Sequence, residues 1–293
     1  MKGIILAGGN GSRLFPLTKS FSKHFLPVFD KPMIYYPLST LMLSNIREIL
    51  IICTQRDLSL FKTLLGDGSK LGLHFEYAIQ NEPKGIADAF IIGEEFIGTD
   101  DVCLVLGDNI FFGQNFTGYL NKAKKRLEDE KGAYIFGYYM KEAGSYGVLC
   151  FDKNGKIEDI EEKPELPKSN YVVPGIYFFD NEVCKIAKKL TPSSRGEIEI
   201  VDLQKQYLKD GRLNVELFGR GLAWFDTGTF DGLLEASNFI SILQKRQGFF
   251  VGCIEEIAFR NGWISKQQLL ECAATLNSSY GEYLEFLCGE KNL

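Results

Sequence analysis

The apolar positions of the first half of the chain form short continuous runs, separated by longer stretches with helical periodicity. A continuous apolar run that ends at glycine or a polar residue is typical of a strand buried on both faces of a parallel sheet. The predicted strands span 3–7, 48–53, 75–79 and 102–106, and the predicted helices span 33–45, 58–65 and 86–96. This alternation predicts an α/β layer with a mainly parallel sheet.

The pattern changes in the middle of the chain. Strands are predicted over 133–140, 148–152, 156–161 and 171–179, and Asn154-Gly155 favours a two-residue hairpin turn. A helix over 198–209, a strand over 213–218 and a helix over 230–245 follow, and then only helices, over 254–260, 266–274 and 280–287. We therefore expect a Rossmann-like, mixed and mainly parallel sheet flanked by helices, with added antiparallel strands, in residues 1–248. Residues 249–293 are expected to form a small C-terminal helical appendage.

Charge and cysteine content exclude several classes of function. The 293 residues include 33 Lys and Arg against 38 Asp and Glu, and the net charge of -5 argues against a nucleic-acid-coating surface. Seven cysteines without a Cys-x-x-Cys pair indicate reduced thiols, and two distant histidines argue against a zinc site or a Ser-His-Asp triad. Because no apolar run is long enough for a signal peptide or a membrane span, we expect a cytoplasmic protein without a membrane partner.

A glycine-rich loop directly follows the first predicted strand. Its residues are Gly8, Gly9, Asn10, Gly11, Ser12 and Arg13. Glycines let backbone N–H groups approach a phosphate, and an arginine adds a two-pronged charged donor. The loop lacks the Gly-Lys-Ser/Thr of a P-loop and the third glycine of the dinucleotide fingerprint. Lys23 could reach the same phosphates. The alternatives are a tight turn for the loop and an ordinary surface position for the lysine.

Further blocks, in a fixed order, carry a resemblance to a known family. They occupy residues 21–33, 35–43, 104–109, 161–164, 195–199 and 224–229. Together with Gly-Gly-x-Gly-Ser-Arg-Leu, these blocks resemble the sugar-1-phosphate nucleotidylyltransferases, over essentially the whole chain. More narrowly, they resemble the glucose-1-phosphate thymidylyltransferases, which make dTDP-glucose and pyrophosphate from dTTP and glucose 1-phosphate.

The resemblance implies a Mg²⁺ site on two aspartates. Asp108 closely follows the predicted strand 102–106, where ligands of open parallel sheets bind, and Asp226 lies in a short segment between Trp224 and Gly228. Mg²⁺ takes few protein ligands and keeps water or substrate oxygens, so two carboxylates suffice. Taken singly, either aspartate could instead cap a helix or form a turn.

The resemblance also assigns the substrate contacts. It implies that Lys163 and Arg195 hold the sugar phosphate, that Glu162 binds sugar hydroxyls, and that Gln80 and Gly85 meet the nucleobase. The sugar pocket would comprise Asn109, Tyr146, Gly147, Val173 and Gly175. The loop Gly8, Gly9, Asn10, Gly11, Ser12 and Arg13 would bind the nucleotide together with Asp108. His24, Lys84 and Pro174 depart from the family's usual residues, which leaves fine substrate preference open.

The expected reaction is an in-line attack of the glucose 1-phosphate oxygen on the α-phosphorus of dTTP. It needs no general base, since a sugar phosphate is already anionic, and it rests on positioning and charge neutralisation. The alternatives are a nucleotidylyltransferase with another nucleotide or sugar phosphate, a glycosyltransferase, and a nucleotide-sugar sensor without turnover. No Asp-x-Asp is present for the glycosyltransferase.

The C-terminal helices carry an additional implication of the resemblance. In the family, such a tail contributes to a homotetramer and to a second site where a product such as dTDP-rhamnose inhibits, and residues 255–260 resemble that region. The alternative is simple packing of amphipathic helices on the core.

Overall fold

A computed structural model of the chain describes residues 1–289. The strands are β1 (Lys2–Ala7), β2 (Pro27–Val28), β3 (Lys31–Pro32), β4 (Glu48–Cys53), β5 (His74–Ile79), β6 (Val102–Leu106), β7 (Asn109–Gly113), β8 (Ala133–Tyr139), β9 (Gly147–Phe151), β10 (Ile157–Glu162), β11 (Tyr171–Val172), β12 (Ile176–Phe179), β13 (Leu213–Leu217) and β14 (Leu222–Asp226). The helices are α1 (Tyr35–Leu43), α2 (Leu58–Leu65), α3 (Asp88–Ile92), α4 (Glu94–Ile97), α5 (Phe116–Asp129), α6 (Val183–Ala187), α7 (Ile200–Lys209), α8 (Phe230–Gln247), α9 (Ile254–Arg260), α10 (Lys266–Ala274) and α11 (Ser279–Gly289).

The main sheet is mixed and mainly parallel, as predicted. Its order is β10-β9-β11-β8-β12-β6-β1-β4-β5, and β13 pairs with β8. The pairings make β10, β11 and β12 run against the other strands, which all point the same way. Successive side chains of a strand point to opposite faces, so Ile4 and Ile5 of β1 enter separate apolar clusters. Helices cover both faces, and the predicted fold class is confirmed.

A second, two-stranded sheet was not predicted. Strands β7 and β14 pair in antiparallel register, with Asp226 opposite Asn109 and Phe225 opposite Ile110. Only Gly107 and Asp108 separate β6 from β7, so Asp108 lies where the chain leaves the main sheet. This small sheet brings together two aspartates that are far apart in the sequence.

Several predicted boundaries are wrong. The predicted helix 86–96 is divided into α3 and α4 at Gly93, and the predicted strand 171–179 is interrupted by 173–175. The hairpin of β9 and β10 exists, but its loop is longer than two residues, since the Gly155 N–H donates to the Asp152 carbonyl and the Asp152 N–H to that of Lys156. The positive φ of 78° belongs to Gly155 alone and not also to Asn154, as a type I′ turn would require. Helix α5 was not predicted.

The C-terminal helices pack onto the core and share its largest apolar cluster. Helix α9 packs against α1, and Ile254, Leu269 and Leu284 join the same cluster as Ile5 of the central strand. The Tyr280 hydroxyl donates to Glu255 Oε2 at 2.5 Å, which ties α11 to α9. Residues 254–289 therefore extend the core, and the last four residues of the predicted appendage 249–293 lie outside the described residues. Among the residues that the structure describes, no helix is long and apolar enough to cross a membrane.

Candidate active site

A cleft of about 570 Å³ opens at the carboxyl ends of β1 and β6. Open parallel sheets bind ligands at this edge, where the loops after adjacent strands diverge. The cleft wall brings together most of the predicted site residues: Gly8, Gly9, Arg13, Lys23, Gln80, Gly85, Asp108, Asn109, Tyr146, Gly147, Glu162, Lys163, Val173, Gly175 and Asp226. The predicted residues Asn10, Gly11, Ser12 and Arg195 do not line it.

Asp108 and Asp226 form an acid pair in the cleft wall. The Lys23 ammonium contacts Asp108 Oδ2, and Asn109 Nδ2 donates to Asp108 Oδ1 at 3.0 Å. Burial is the largest single influence on Asp108 and works against its ionisation. The Lys23 charge, the neighbouring His24 and the hydrogen bonds from Lys23 and Asn109 together outweigh burial and hold the pKa of that carboxyl well below its usual range. Burial, and then the negative charge of Asp108, raise the pKa of Asp226. Among residues 1–289, no cationic group lies as close to the Asp226 carboxylate as Lys23 lies to that of Asp108.

The acid pair fits a hard divalent cation. Two carboxylates close enough for one to raise the pKa of the other repel each other, and a cation held by both would relieve that repulsion. All the donors are oxygens, as Mg²⁺ prefers. Within residues 1–289, no group of three or more His, Cys, Asp or Glu could hold an ion. A cation at Asp108 and Asp226 would therefore need further oxygens from substrate or water.

Asn109 is engaged inside the protein. It is 2% exposed, and its Oδ1 accepts from the Trp224 indole N–H at 2.6 Å and from the Gly175 N–H at 2.9 Å. Because its Nδ2 donates to Asp108, the side chain orients the acid pair and joins it to β14 and to the chain before β12. A Cβ on Gly175 would lie 2.6 Å from Asn109 Oδ1, so this contact requires glycine there.

The glycine-rich loop places Arg13 beside the acid pair. Gly9 and Gly11 have φ values of 82° and 60°, in the left-handed region that glycine adopts without strain. Gly11 precedes a short 3-10 turn over Ser12–Leu14, from which Arg13 extends toward β14. A Cβ on Gly228 would lie 2.7 Å from Arg13 Nη2 and 2.9 Å from Asp226 Oδ1. The guanidinium and the carboxylate therefore lie against the same glycine.

Gln80 and Gly85 are held by contacts that the sequence did not reveal. Gln80 Nε2 donates to Asp88 Oδ2 at 2.9 Å and to the Gly85 carbonyl at 3.4 Å, while Oε1 lies against Gly8. Gly85 has a φ of 97°, and a Cβ there would lie 2.5 Å from the Ile198 carbonyl oxygen. The donor end of the Gln80 amide is therefore occupied, and its acceptor end faces the cleft.

The three departures from the family pattern occupy different environments. His24 is 1% exposed and lines the cleft, with Nδ1 2.6 Å from Ser22 Oγ; burial, then the Lys23 charge, lower the pKa of its imidazole to about 3. Lys84 is exposed, 3.4 Å from Glu82. Pro174 lies in the segment that separates β11 from β12.

The wall of the cleft also carries Glu162 and Lys163. Lys163 Nζ lies 3.5 Å from Glu162 Oε1, and the Lys163 backbone has a φ of 45°, unusual for a residue with a side chain. Arg195 binds Glu162 at 3.0 Å and Glu199 at 2.9 Å. Arg195 does not line the cleft, but it holds two carboxylates that do.

Several residues of the cleft wall were not assigned from the sequence. One of them, Trp224, packs edge-on against the predicted residue Tyr146, with ring centroids 5.1 Å apart. Burial together with the Asp226 charge raises the pKa of the Tyr146 phenol to about 12. The unassigned residues include Tyr177, Glu197, Glu199, Ile200, Val201, Gln204 and Trp224. Glu197, Glu199 and Trp224 lie within the blocks that carried the resemblance, so a signal existed for these three.

The cleft therefore joins cationic side chains to an acid pair that suits a divalent metal, a combination that enzymes transferring nucleotidyl groups require. The family model described as nucleotidyl transferase matches residues 2–242 of the chain. The chain belongs to this family of enzymes.

Its relatives narrow the assignment. A glucose-1-phosphate thymidylyltransferase of Neisseria meningitidis serogroup A is 54% identical over 97% of this chain and 98% of that protein. A solved Bacillus anthracis protein, assigned as a glucose-1-phosphate thymidylyltransferase and in complex with a sucrose, has a TM-score of 0.75 and 39% identity over 82% of this chain and 94% of its own. UDP-glucose pyrophosphorylase complexed with UDP-glucose has a TM-score of 0.72 and 26% identity over 84% and 99%. The predicted membership of the glucose-1-phosphate thymidylyltransferases is confirmed.

Proposed function

We propose that this enzyme transfers a thymidylyl group from dTTP to α-D-glucose 1-phosphate and releases pyrophosphate and dTDP-glucose. The observation that carries the proposal is the charge layout of one cleft. Arg13 and Lys23 lie with the acid pair at the glycine-rich loop, and Lys163 adds a third cationic side chain to the wall of the same cleft. Two anionic substrates can bind there with their phosphates facing each other. The thymidylyltransferase relatives, similar over nearly their whole length, support this choice of substrates.

In the proposed mechanism, a phosphate oxygen of glucose 1-phosphate attacks the α-phosphorus of dTTP. One P–O bond forms, the bond to the β-phosphate oxygen breaks, and pyrophosphate leaves with the electron pair. Lys163 holds the attacking phosphate, while Arg13 and Lys23 stabilise the charge that grows on the leaving group. No proton has to be removed from the nucleophile, so the mechanism needs no general base. The lowered pKa of the buried His24 imidazole, which makes it a weak base, is therefore compatible with the mechanism.

We further propose that the reaction depends on Mg²⁺. Asp108 and Asp226 would hold the ion, and when bound it would neutralise charge on the triphosphate. Lys23 contacts Asp108 in the structure and would be free to turn toward a phosphate once a cation shares that carboxylate.

The first test is pyrophosphate release with glucose 1-phosphate, Mg²⁺ and each of dTTP, UTP, CTP, ATP and GTP in turn. Strong release with dTTP that EDTA abolishes is the expected result. Asp226→Asn should lose most turnover while its melting temperature stays unchanged. The control is Asp129→Asn, which changes an exposed aspartate at the end of α5 and should remain fully active. Release without any dependence on a divalent cation would contradict the role given to the acid pair.

A second candidate is the same reaction with UTP. It is favoured by the structural likeness to UDP-glucose pyrophosphorylase, at 26% identity. Gln80 could accept a hydrogen bond from N3–H of either thymine or uracil, so this contact is the same for both nucleotides. The rates of pyrophosphate release with dTTP and with UTP therefore decide between the two candidates. A clear preference for UTP would keep the mechanism and replace the nucleotide. Binding of dTDP-glucose without any turnover would favour the nucleotide-sugar sensor.

We also propose a homotetramer in the cytoplasm, inhibited by a downstream nucleotide sugar such as dTDP-rhamnose. The resemblance of residues 255–260 to the family's second site supports the inhibition, and an apolar stripe on α8 supports contacts between subunits. In that stripe Leu234 and Ile242, two helical turns apart, are 60% and 59% exposed. Light scattering and titration of turnover with dTDP-rhamnose test these points. A monomer, or turnover indifferent to dTDP-rhamnose, would contradict them.

A further inference from the structure

One buried side chain of the cleft wall has no hydrogen-bond partner. Gln204 of α7 is 0% exposed, and neither its Oε1 nor its Nε2 is hydrogen-bonded to any residue that the structure describes. It is nevertheless part of the wall of the cleft. Buried polar groups are nearly always paired, so an amide with both ends free calls for an explanation.

The other two buried glutamines show what a satisfied amide looks like here. Gln80 donates to Asp88 at 2.9 Å. Gln244 donates to Asp30 at 2.8 Å and accepts from the Val251 N–H at 3.0 Å. The core thus provides partners for the amides of Gln80 and Gln244. Gln204, in the wall of the cleft proposed to bind the substrates, is buried without such partners.

Helix α7 places Gln204 in the part of the cleft wall near Gly147 and Lys163. One turn earlier, Val201 packs against β9, where a Cβ on Gly147 would lie 3.0 Å from Val201 Cγ2. The Gly147 carbonyl accepts from the Val173 N–H at 2.8 Å, and Tyr146 accepts from the Lys163 N–H at 3.0 Å. This part of the wall is therefore built around the lysine that is proposed to hold the sugar phosphate.

We propose that the Gln204 amide recognises a hydroxyl group of the hexose 1-phosphate and so determines sugar specificity. A hydroxyl both donates and accepts, which matches the free acceptor and the free donor of the amide. A phosphate only accepts, and its charge is met by Lys163. The inference rests on the proposed function, because it names a contact of the same substrate.

The test compares Gln204→Met with the wild type. Methionine keeps the volume and removes both polar atoms. The KM for glucose 1-phosphate should rise about 3- to 10-fold, the loss expected for one uncharged hydrogen bond, with the KM for dTTP unchanged. Gln206→Met is the matched control: it lies on the same helix, where its amide bonds to Asp210 at the surface, and its kinetics should equal those of the wild type.

Monodeoxy glucose 1-phosphates identify the hydroxyl. With one of the 2-, 3-, 4- or 6-deoxy compounds, the wild type and Gln204→Met should have equal kcat/KM, because the contact is then missing on both sides. Gln204→Asn, which keeps a shorter amide, provides a second variant should the methionine variant not fold, and its KM should also rise.

Two results overturn parts of this picture, and they are distinguishable. A wild type that releases no pyrophosphate from dTTP and glucose 1-phosphate contradicts the proposed function. An active wild type whose KM for glucose 1-phosphate equals that of Gln204→Met and Gln204→Asn contradicts the inference alone. In that case Gln204 would be an unpaired amide without a role in the sugar contact, and Gln204→Met should only raise the melting temperature.

Discussion

The hydroxyl of Thr227 donates a hydrogen bond of 2.7 Å to the main-chain carbonyl oxygen of Asp108, and the Thr227 N–H donates to the same oxygen at 3.0 Å. The two residues are 119 positions apart. Thr227 directly follows β14, so this double contact locks the end of β14 to the turn between β6 and β7. It sets how closely Asp226 approaches Asp108.

Thr227→Val should loosen the acid pair without touching either carboxylate. The variant keeps the N–H contact and loses the hydroxyl, which is buried together with its side chain. We expect the Mg²⁺ concentration for half-maximal turnover to rise about tenfold, as for other partners that orient metal ligands. The melting temperature should fall by about 2–4 °C, the cost of one hydrogen bond in a chain of this size.

The control for that variant is Thr63→Val in α2, whose exposed hydroxyl bonds to the Ser59 carbonyl. It should leave both the Mg²⁺ dependence and the melting temperature nearly unchanged. An equal Mg²⁺ requirement in Thr227→Val and the wild type would show that the hydroxyl does not hold the acid pair in place.

His24 should make the folded state sensitive to acid. Burial, then the Lys23 charge, lower the pKa of His24 to about 3 from its ordinary value of 6.5, so the unfolded chain binds a proton that the folded chain excludes. This contribution to stability is complete above pH 6.5 and is lost as the pH falls toward 3, by about tenfold in the unfolding equilibrium constant per pH unit. In His24→Gln, the loss between pH 6.5 and 5 should be smaller.

Urea unfolding at pH 5, 6 and 7.5, with EDTA present, measures that difference. The free energies of unfolding of the wild type and His24→Gln should diverge as the pH falls. Parallel pH dependence of the two proteins would mean that His24 is protonated in the folded state.

How much of the fold could be predicted depended on how local the signal was. The strand β6 was predicted with its observed boundaries because its apolar run is continuous. Helix α5 was missed, although its buried Phe116, Leu120, Ala123 and Leu127 have helical spacing, so the sequence contained that signal. The pairing of β7 with β14 joins segments about a hundred residues apart, and no local pattern reports it.

The residues of the candidate site also divide into those that the sequence predicted and those that only the tertiary structure shows. The blocks that carried the family resemblance led to the acid pair and to Lys163, which the structure brings into one cleft. In the structure Arg195 binds Glu199, four residues along the chain, and Glu162, whose approach depends on tertiary packing, and its expected role at the phosphate stays a prediction. Gln204 had one sequence signal, a polar residue on the buried face of α7, but its unpaired amide becomes visible only in three dimensions.

We expect the Lys163 side chain to be needed for activity, while its backbone conformation lowers the stability of the fold. A side chain at a φ of 45° strains the backbone, and glycine relieves this. Lys163→Gly and Lys163→Ala both remove the ammonium, so kcat/KM for glucose 1-phosphate should fall about 10- to 100-fold in each. The glycine variant should nevertheless be more stable than the alanine variant by about 1 kcal/mol.

Thermal unfolding and steady-state kinetics of the two variants test this, with Lys153→Ala in the exposed β9–β10 loop as the control. The control should match the wild type in both measurements. An alanine variant as stable as the glycine variant would show that the backbone at this position is not strained.

Asp88 should control discrimination between thymine and cytosine. Its carboxylate accepts from Gln80 Nε2 at 2.9 Å, which turns Gln80 Oε1 toward the cleft as an acceptor. That orientation suits the N3–H donor of thymine and rejects cytosine, whose N3 is an acceptor.

Asp88→Asn can donate as well as accept, so the Gln80 amide is free to reverse. The ratio of kcat/KM for dTTP to that for dCTP should fall about tenfold, while the dTTP-to-UTP ratio stays constant, since thymine and uracil share the N3–H. Pyrophosphate release with the three nucleotides measures both ratios, and an unchanged dTTP-to-dCTP ratio would remove Gln80 from base recognition.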